Sequence, residues 1–373
     1  MKGSRVLFVC TQMEAGGVQR RSTAMCKALR SKGLDSRVVF LYRKRGAYDD
    51  LDFCRSLLPS KPRGLLDLGK AVIGLFKEIR AHRSTAVVGM AHYSSPLASI
   101  TAALAGVPNR VATQTNPPDS VPFIGRALDF LCGVTRLYTS NICASKSIEA
   151  EFSQYPARYK RTLKTVVNGV EHSPSEVPVT GAYIDLRDRL AASGRPTIMN
   201  CGRLSKQKNQ PFLIDCMQDV DANLVIVGEG ELRQEIESRI RQLGMEERVI
   251  MVGEVPPSQV GAYMVLGDIF AFPSHFEAFG LVAVEAMKAG LPLVCSDHPA
   301  LTEVVGDAGI LLPPTDRDSW VKVLSELASD PQRMATLSEK GRDRAKLFSF
   351  EKMLQGFEAE ASRVPFTVTI SQE

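Results

Sequence analysis

Short apolar runs, each followed by a stretch with helical spacing, recur along the whole chain. Continuous apolar runs are typical of strands that a parallel sheet buries on both faces. Because strands alternate with helical patterns, the chain is predicted to consist of βαβ units. The predicted strands lie at 5–10, 36–42, 86–90, 110–113, 136–143 and 165–167 in the first half, and at 197–201, 224–227, 249–252, 269–272, 293–295 and 309–312 in the second.

Between these two series the periodicity is lost, and residues 173–194 have the composition of a linker. The pattern predicts an α/β fold with two facing doubly wound, Rossmann-like parallel-sheet domains and a cleft between them. We expect the first domain over 1–172 and the second over 195–349, a division that suits a chain of 373 residues. A final helix over about 350–363 is expected to pack back on the first domain.

The net charge of +5 hides an asymmetry between the two halves. Residues 1–180 contain 26 Lys and Arg against 13 Asp and Glu, a net +13, whereas the remainder carries 20 against 28, a net −8. A basic half predicts contact with an anionic partner, such as a membrane surface, a phosphorylated lipid or nucleic acid. No aromatic-rich basic module accompanies the charge, so we expect no nucleic acid partner. The basic amphipathic helix predicted over 65–83 either packs its apolar stripe on the sheet or lies on a membrane surface.

Cysteine usage and hydropathy bound the compartment. The eight cysteines are scattered without a C-x-x-C pair, which favours buried thiols in a reducing cytosol over disulfides or zinc. The apolar run near the amino terminus is too short for a signal peptide, and no stretch reaches the roughly 20 apolar residues of a spanning helix. We therefore expect a cytoplasmic protein, which would be peripheral at the inner face of the cell membrane if its basic half binds lipid.

The most informative stretch, residues 267–290, combines a buried strand, a loop and a helix. Gly280 and Gly290 bracket the predicted helix, whose positive amino end favours an anionic ligand. Two acids, Glu277 in the loop and Glu285 in the helix, stand beside this anion site. Carboxylates are expected there if the ligand also carries sugar hydroxyls or a developing positive charge.

Three further loops follow predicted strands at their carboxyl ends, where open α/β sheets bind ligands. The loop after the strand 197–201 carries Arg203 and Lys208, a cationic pair suited to a diphosphate. The loop after 5–10 contains Gly16 and Gly17, and His92 follows 86–90. Taken alone, Arg203 and Lys208 have the alternative interpretation of solvated loop cations, and His92 has that of a structural histidine. Gly228-Glu229-Gly230 mimics a dinucleotide loop, but Arg233 occupies its third glycine position, which argues against NAD or FAD.

Together these motifs resemble the retaining GT-B glycosyltransferases of family 4. The resemblance rests on an ordered set over about residues 5–315: Gly16-Gly17, Asn168-Gly169, Gly202-Arg203-Leu204 with Lys208, Gly228-Glu229-Gly230, Glu277 and Glu285 with seven residues between them, and Gly290-x-Pro292. It implies transfer of a sugar from a UDP- or GDP-sugar to a glycan or lipid-linked acceptor with retention of the anomeric configuration. Cell-surface polysaccharide or lipopolysaccharide biosynthesis is the expected context, and neither a metal nor another cofactor is expected.

The resemblance also implies residue roles. Arg203 and Lys208 would stabilise the leaving diphosphate, Glu277 would contact the donor sugar, and Glu285 would bind the ribose. The backbone N–H groups of Phe279, Gly280 and Leu281 would reach the phosphates or the sugar, the Gly16-Gly17 loop would close on the phosphates, and His92 would lie at the sugar. The chain departs from the family pattern at Ala278, where relatives usually have Gly, and at Gln114-Thr115-Asn116, in the region expected to face the acceptor. The alternatives are a nucleotide-sugar epimerase or phosphorylase on the same fold, or a non-catalytic nucleotide-binding module.

Overall fold

The computed structural model of the protein describes residues 4–14, 16–170, 181–256 and 259–363. The chain divides into two compact units: unit 1 comprises Met1–Val167 and Glu351–Glu373, and unit 2 comprises Asn168–Phe350. The sequence placed the corresponding boundary at 172 and a returning helix at about 350–363.

The described part of unit 1 contains seven strands and the helices that connect them. Its strands are β1 (Arg5–Met13), β2 (Asp35–Arg43), β3 (Cys54–Leu58), β4 (Ala86–Gly89), β5 (Asn109–Gln114), β6 (Ser140–Cys143) and β7 (Leu163–Thr165). Its helices are α1 (Gly17–Ser31), α2 (Leu65–His82), α3 (Ser94–Leu104), α4 (Phe123–Val134), α5 (Lys146–Ala150) and α6 (Ala157–Lys160), with a 3₁₀ turn at Pro118–Ser120.

Unit 2 contains six strands. They are β8 (Thr197–Cys201), β9 (Asn223–Val227), β10 (Val249–Gly253), β11 (Ile269–Phe272), β12 (Leu293–Ser296) and β13 (Gly309–Leu312). Its described helices are α7 (Gly181–Ser193), α8 (Gln210–Cys216), α9 (Arg233–Gln242), α10 (Val260–Met264), α11 (Leu281–Ala289), α12 (Pro299–Val305), α13 (Arg317–Ala328) and α14 (Pro331–Ala345). The helix that follows, α15 (Phe350–Ala361), belongs to unit 1 from Glu351 onward.

Both sheets are parallel and doubly wound, which confirms the predicted fold class. The strand order is β3-β2-β1-β4-β5-β6-β7 in unit 1 and β10-β9-β8-β11-β12-β13 in unit 2. In each sheet the chain runs outward in one direction and then returns to continue in the other, so the order reverses between β1 and β4 and between β8 and β11. Ligands of open α/β sheets bind outside the carboxyl ends of the strands at such reversal points.

Helix α15 returns to unit 1 and packs against α1. Lys32 Nζ donates to Glu358 Oε1 at 2.8 Å, and the guanidinium of Arg21 lies 5.8 Å from the ring centroid of Phe357. Leu354, Phe357 and the strands β1 and β4 line the same small apolar space. The carboxyl-terminal helix therefore completes the core on one face of the first sheet.

Two expectations from the sequence need correction. The linker predicted over 173–194 contains helix α7 at Gly181–Ser193, while residues 171–180 lie outside the described residues. Only Leu186 and Leu190 of this helix are buried, so its apolar stripe is too sparse for the periodicity to stand out. Strand β3 was not predicted, because the segment Cys54–Leu58 is a short edge strand whose residues are mostly half-exposed and which includes Arg55 and Ser56.

Gln114, which the sequence placed towards the acceptor, belongs to a buried polar network of unit 1. Its Nε2 donates to Asp129 Oδ1 at 2.7 Å, and the same oxygen accepts from the hydroxyl of Tyr138 at 2.9 Å. The hydroxyl of Tyr159 donates to the other carboxylate oxygen of Asp129. Burial raises the pKa of Asp129, while these three hydrogen bonds lower it. Gln114 therefore fixes the packing of α4 against the sheet.

Candidate active site

The loop that links β8 to α8 is held at the carboxyl edge of the second sheet by backbone and amide contacts. The backbone N–H of Leu204 donates to Glu229 O at 3.0 Å. At the other end of the loop, Asn209 Nδ2 donates to Pro273 O at 3.2 Å and to Pro314 O at 3.0 Å. These contacts fix both ends of the segment that carries Arg203 and Lys208. Arg203 is exposed at its start, whereas the Lys208 side chain is only 16% exposed.

The loop that links β11 to α11 runs alongside it. Strand β11 is fully buried, with Phe270 and Phe272 inaccessible to solvent, and burial of each such ring stabilises the fold by about 1.5–3 kcal/mol. After the strand, the His275 N–H donates to Gln207 O at 2.8 Å, and Gln207 Nε2 donates to Phe276 O at 2.7 Å. The two loops on either side of the reversal point are thus hydrogen-bonded to each other.

Helix α11 begins and ends at the predicted glycines. Gly280 precedes the helix at φ 89° and Gly290 follows it at φ 81°, both in the left-handed region. A Cβ on Gly280 would approach Leu301 Cδ2 to 2.6 Å, so both the conformation and the space require glycine. Phe279 is buried and packs edge-to-face on Phe348 with ring centroids 5.6 Å apart. These contacts fix the helix amino end, at which Leu281 is the first residue.

Lys208 and Glu277 form a buried ion pair at the reversal point between β8 and β11. Lys208 Nζ donates to Glu277 Oε1, and the Glu277 side chain is only 9% exposed. The ammonium also lies 4.7 Å from the ring centroid of Phe272, close enough for a cation–π interaction. Because each charge is largely removed from water, each depends on the other for compensation.

Close backbone approach explains the glycines of the dinucleotide-like segment. A Cβ on Gly228 would lie 2.0 Å from Gly202 O, and one on Gly230 would lie 2.2 Å from Leu204 O. A Cβ on Gly202 would lie 3.3 Å from Lys208 Cε, which is closer than an ordinary van der Waals contact. The glycines therefore let the loop after β9 pack closely against the backbone of the Lys208 loop. This structural role explains the glycines without a bound dinucleotide.

The sequence did not single out His298, which lies beside this pair. It follows β12, whose Cys295 pairs with Phe272 of β11, and its Nε2 is buried with no hydrogen-bond partner in the described part of the chain. Burial lowers the pKa of His298, the carboxylates of Glu277 and Asp297 raise it, and Lys208 lowers it. The signal that could have found it is its position after a buried strand, the same rule that pointed to His92.

Other buried polar atoms at this edge are also unsatisfied within the described residues. They are Asn200 Oδ1, Gln210 Oε1 and Ser274 Oγ. Asn200 Nδ2 donates to Ala271 O at 2.8 Å, which links β8 to β11. Glu285 is half-buried and is the fifth residue of α11. Buried polar atoms without partners are uncommon in folded proteins and concentrate where a ligand or water binds.

In unit 1, the predicted residues lie at the reversal point of the first sheet. Gly16 adopts an extended conformation and caps α1, Gly17 begins the helix, and the Gly16 carbonyl accepts from Arg20 N at 2.9 Å. His92 follows β4, which pairs directly with β1. Its ring lies against Tyr93 with centroids 4.2 Å apart, its Nδ1 is buried without a partner among the described residues, and burial lowers its pKa. In each unit the candidate residues therefore lie at the edge of the sheet where open α/β folds bind ligands.

A known family model matches part of the second unit. Residues 184–344 match the family model described as glycosyl transferases group 1. The match covers less than half of the chain, and it shows that the second unit is similar to this family. The matched region contains Arg203, Lys208, Glu277 and Glu285, and so includes the whole ion-paired edge of the sheet.

Two curated relatives show how far the sequence similarity extends. The chain is 30% identical over 206 residues to the N-acetylgalactosamine-N,N'-diacetylbacillosaminyl-diphospho-undecaprenol 4-alpha-N-acetylgalactosaminyltransferase of Campylobacter jejuni, an alignment of 52% of this chain and 56% of that protein. It is 27% identical over 218 residues to the GDP-mannose-dependent alpha-(1-6)-phosphatidylinositol monomannoside mannosyltransferase of Mycolicibacterium smegmatis, covering 52% and 57% of the two chains. The chain thus spans about half the length of the curated relatives it matches.

Solved structures show that the fold is shared over nearly the whole chain. HepE of Anabaena, solved in complex with UDP and glucose, superimposes with a TM-score of 0.82 at 21% identity, covering 97% of this chain and 100% of that one. WaaG, a glycosyltransferase involved in lipopolysaccharide biosynthesis, superimposes with a TM-score of 0.75 at 16% identity over 97% and 100% of the two chains. The GT-B fold class predicted from the sequence is confirmed.

Proposed function

We propose that the protein is a retaining glycosyltransferase that moves a sugar from a nucleoside diphosphate sugar to a glycan or lipid-linked acceptor. The observation that carries the proposal is the buried Lys208–Glu277 pair at the reversal point of the second sheet, beside the amino end of α11. A cation, a helix amino end and a carboxylate at one edge suit a ligand that combines phosphates with sugar hydroxyls.

In the proposed reaction, binding of the diphosphate draws the Lys208 ammonium towards the phosphate oxygens. Arg203, exposed at the start of the same loop, would add a second cation as negative charge develops on the leaving group. Preorganised cations of this kind are the largest source of rate enhancement in many transfer reactions. Glu277 is then available to the sugar hydroxyls, and Glu285 on α11 to the ribose diol. Transfer with retention at the anomeric carbon is part of the proposal, because the family resemblance implies it.

The acceptor is proposed to be lipid-linked. Two relatives support this class, since one is named for a diphospho-undecaprenol acceptor and the other for a phosphatidylinositol monomannoside. Lipopolysaccharide or another cell-surface glycan is the corresponding product. His92 and the Gly16-Gly17 loop of unit 1 are proposed to contact the sugar and the phosphates, respectively.

The test is incubation of the full chain with radiolabelled UDP- and GDP-sugars, with and without a bacterial lipid extract. The proposal expects acceptor-dependent transfer from at least one donor, and NMR of the product should show the anomeric configuration of the donor retained. Conversion of the donor without acceptor would indicate an epimerase, and dependence on inorganic phosphate would indicate a phosphorylase. Nucleotide binding with no turnover of any donor would favour a non-catalytic module.

We also propose that unit 1 docks on an anionic membrane through α2 and α4. No helix among the described residues is both long and apolar enough to cross a bilayer. Instead, both helices expose large apolar side chains: Leu65, Leu66, Leu68, Ile73 and Phe76 on α2, and Phe123, Ile124, Leu128, Phe130 and Leu131 on α4. Helix α3 packs against both α2 and α4. Groups of exposed apolar side chains on a protein surface mark interaction sites.

Charge favours a lipid surface as the occupant of this patch. Lys61, Arg63, Lys70, Lys77 and Arg80 are exposed on or directly before α2, and they contribute to the net +13 of the first 180 residues. Apolar side chains flanked by cations suit the interface of a bilayer that contains anionic lipid, to which each Lys or Arg near the surface contributes about 1 kcal/mol.

Vesicle flotation tests the docking proposal. Vesicles with phosphatidylglycerol should bind the wild-type chain, neutral phosphatidylcholine vesicles should bind it weakly, and added salt should weaken the binding. The double variant F123S/I124S should lose most of this binding, whereas L347S, which changes an exposed leucine of unit 2, should retain it. Equal binding by the two variants would contradict the docking surface but not the transferase.

A further inference from the structure

His298 occupies a position from which it can respond to the Lys208–Glu277 pair. It lies two residues beyond β12 and directly before α12, whose first residue is Pro299. Strand β12 pairs with β11 through Phe272 and Cys295, so the loops that carry Glu277 and His298 leave neighbouring strands at the same edge. Burial raises the pKa of Cys295, and the Glu277 carboxylate raises it further, which is consistent with this carboxylate lying near the end of β12.

The imidazole is half-buried, and its hydrogen bonding is incomplete. Its Nε2 has no hydrogen-bond partner among the described residues. The charged groups that act on it are Glu277, Asp297 and Lys208, which face it from the β11 loop, its own loop and the β8 loop, respectively. Arg344 of α14 binds the carbonyls of Glu303 and Val304 on α12 instead. Burial lowers the pKa of the ring below its ordinary value although Glu277 and Asp297 raise it, so the ring is neutral in the free protein at pH 7.5.

Donor binding changes the balance of charge around this ring. Lys208 has two alternative anionic partners, the Glu277 carboxylate in the free protein and a diphosphate in the complex proposed above. Once the diphosphate neutralises Lys208, the buried Glu277 carboxylate loses its compensating charge, and a buried carboxylate without a partner is strongly unfavourable. The lowering effect of Lys208 on the imidazole is lost at the same time.

We propose that His298 is a positioning residue that takes up a proton when a nucleoside diphosphate engages Lys208, and then donates an Nε2–H hydrogen bond to the Glu277 carboxylate. One proton passes from solvent to the ring, which becomes an imidazolium, and no covalent bond is made or broken. The protonated ring replaces Lys208 as the counter-ion of Glu277 and holds the carboxylate in place for the donor sugar. This inference rests on the proposed nucleotide-sugar site.

Isothermal titration calorimetry with UDP and GDP measures this proton directly. Titrations at pH 7.5 in phosphate and in Tris, whose ionisation enthalpies differ, give the number of protons taken up per nucleotide bound. We expect uptake of a substantial fraction of one proton by the wild-type chain, and little or none by H298Q. The matched control is H275Q, which changes an exposed histidine two residues before Glu277 and should show the wild-type value.

NMR titration of the histidine ring nitrogens in the wild-type chain keeps the test independent of any variant's folding. The pKa of His298 should rise on addition of nucleotide, and the rise should disappear in E277Q because the carboxylate is then absent. Tight nucleotide binding with an unchanged His298 pKa and no proton uptake would overturn the inference and leave the proposed function standing. Failure of both UDP and GDP to bind would overturn the nucleotide site and the inference together.

Discussion

The buried ion pair makes a quantitative prediction about stability. In K208M the Glu277 carboxylate, 9% exposed, is left without its partner, and in E277Q the Lys208 ammonium, 16% exposed, is left in the same way. Removing one member of a buried pair typically costs 3–5 kcal/mol, and the residual exposure of both side chains reduces this to about 2–4 kcal/mol. The double variant K208M/E277Q buries neither charge, so it should lie within about 1 kcal/mol of the wild type.

Urea denaturation followed by tryptophan fluorescence measures these differences in the free energy of unfolding of unit 2. Trp320 is the only tryptophan of the chain and is fully buried in the core of unit 2, so its emission reports the unfolding of that unit. Because each single variant should lose about 2–4 kcal/mol and the double variant should lie within about 1 kcal/mol of the wild type, the double-mutant cycle should give a coupling energy of at least about 3 kcal/mol.

K206M is the matched control, because Lys206 is an exposed lysine two residues earlier in the same loop. Its free energy of unfolding should stay within about 0.5 kcal/mol of the wild-type value. If K208M were no less stable than K206M, or if the effects of K208M and E277Q simply added, the two charges would not depend on each other and the reasoning would be refuted.

Three further predictions concern backbone packing, buried acid and thiols. Gly228→Ala should lower the free energy of unfolding of unit 2, measured by urea denaturation, by about 2 kcal/mol or more, because the added Cβ would lie 2.0 Å from Gly202 O. The control is Gly69→Ala on α2, whose added Cβ meets nothing within 4 Å and which should be neutral or stabilising. Asp129→Asn should become more stable relative to the wild type as the pH rises from 4 to 7. Burial raises the pKa of Asp129, so the contribution of its neutral carboxyl group to the free energy of unfolding is complete below the ordinary carboxyl pKa. That contribution is lost as the pH rises through the folded-state pKa. A difference between Asn and Asp that did not change with pH in urea titrations would contradict this assignment. Six of the eight cysteines are buried, and none of the eight, all of which lie in the described part of the chain, forms a disulfide. A thiol reagent should therefore label at most two sites in the native chain and eight in denaturant, counted by mass spectrometry.

The sequence predicted the elements whose signals are local. The continuous apolar run of β11 and the glycines on either side of α11 determine that segment by themselves, and its observed bounds, Leu281–Ala289, lie inside the predicted ones. Strand β3 and helix α7 have weaker signals, because one is a half-exposed edge strand and the other buries only two leucines. Their conformations depend on contacts with residues distant in the sequence, and single-sequence periodicity does not record such contacts.

The same distinction applies to the candidate site. Position at the carboxyl end of a buried strand was sufficient to select Lys208, Glu277 and His92 as candidates. The pairing of Lys208 with Glu277 across 69 residues and the amide bonds that join their loops required the three-dimensional structure. His298 was missed although it follows a predicted strand, because Pro299 and the short helix after it gave no motif that suggested a ligand.

The central claim is that the edge of the second sheet between β8 and β11 binds and activates a nucleoside diphosphate sugar. Its most direct test is the rate of nucleoside diphosphate release from the best donor of the UDP- and GDP-sugar panel, with acceptor present and with folded variants verified by circular dichroism. We predict that K208M and E277Q each lower kcat by about 100-fold or more, as removal of a charge-stabilising group does in other enzymes, while K206M stays within twofold of the wild type. Wild-type rates in both K208M and E277Q would contradict the claim.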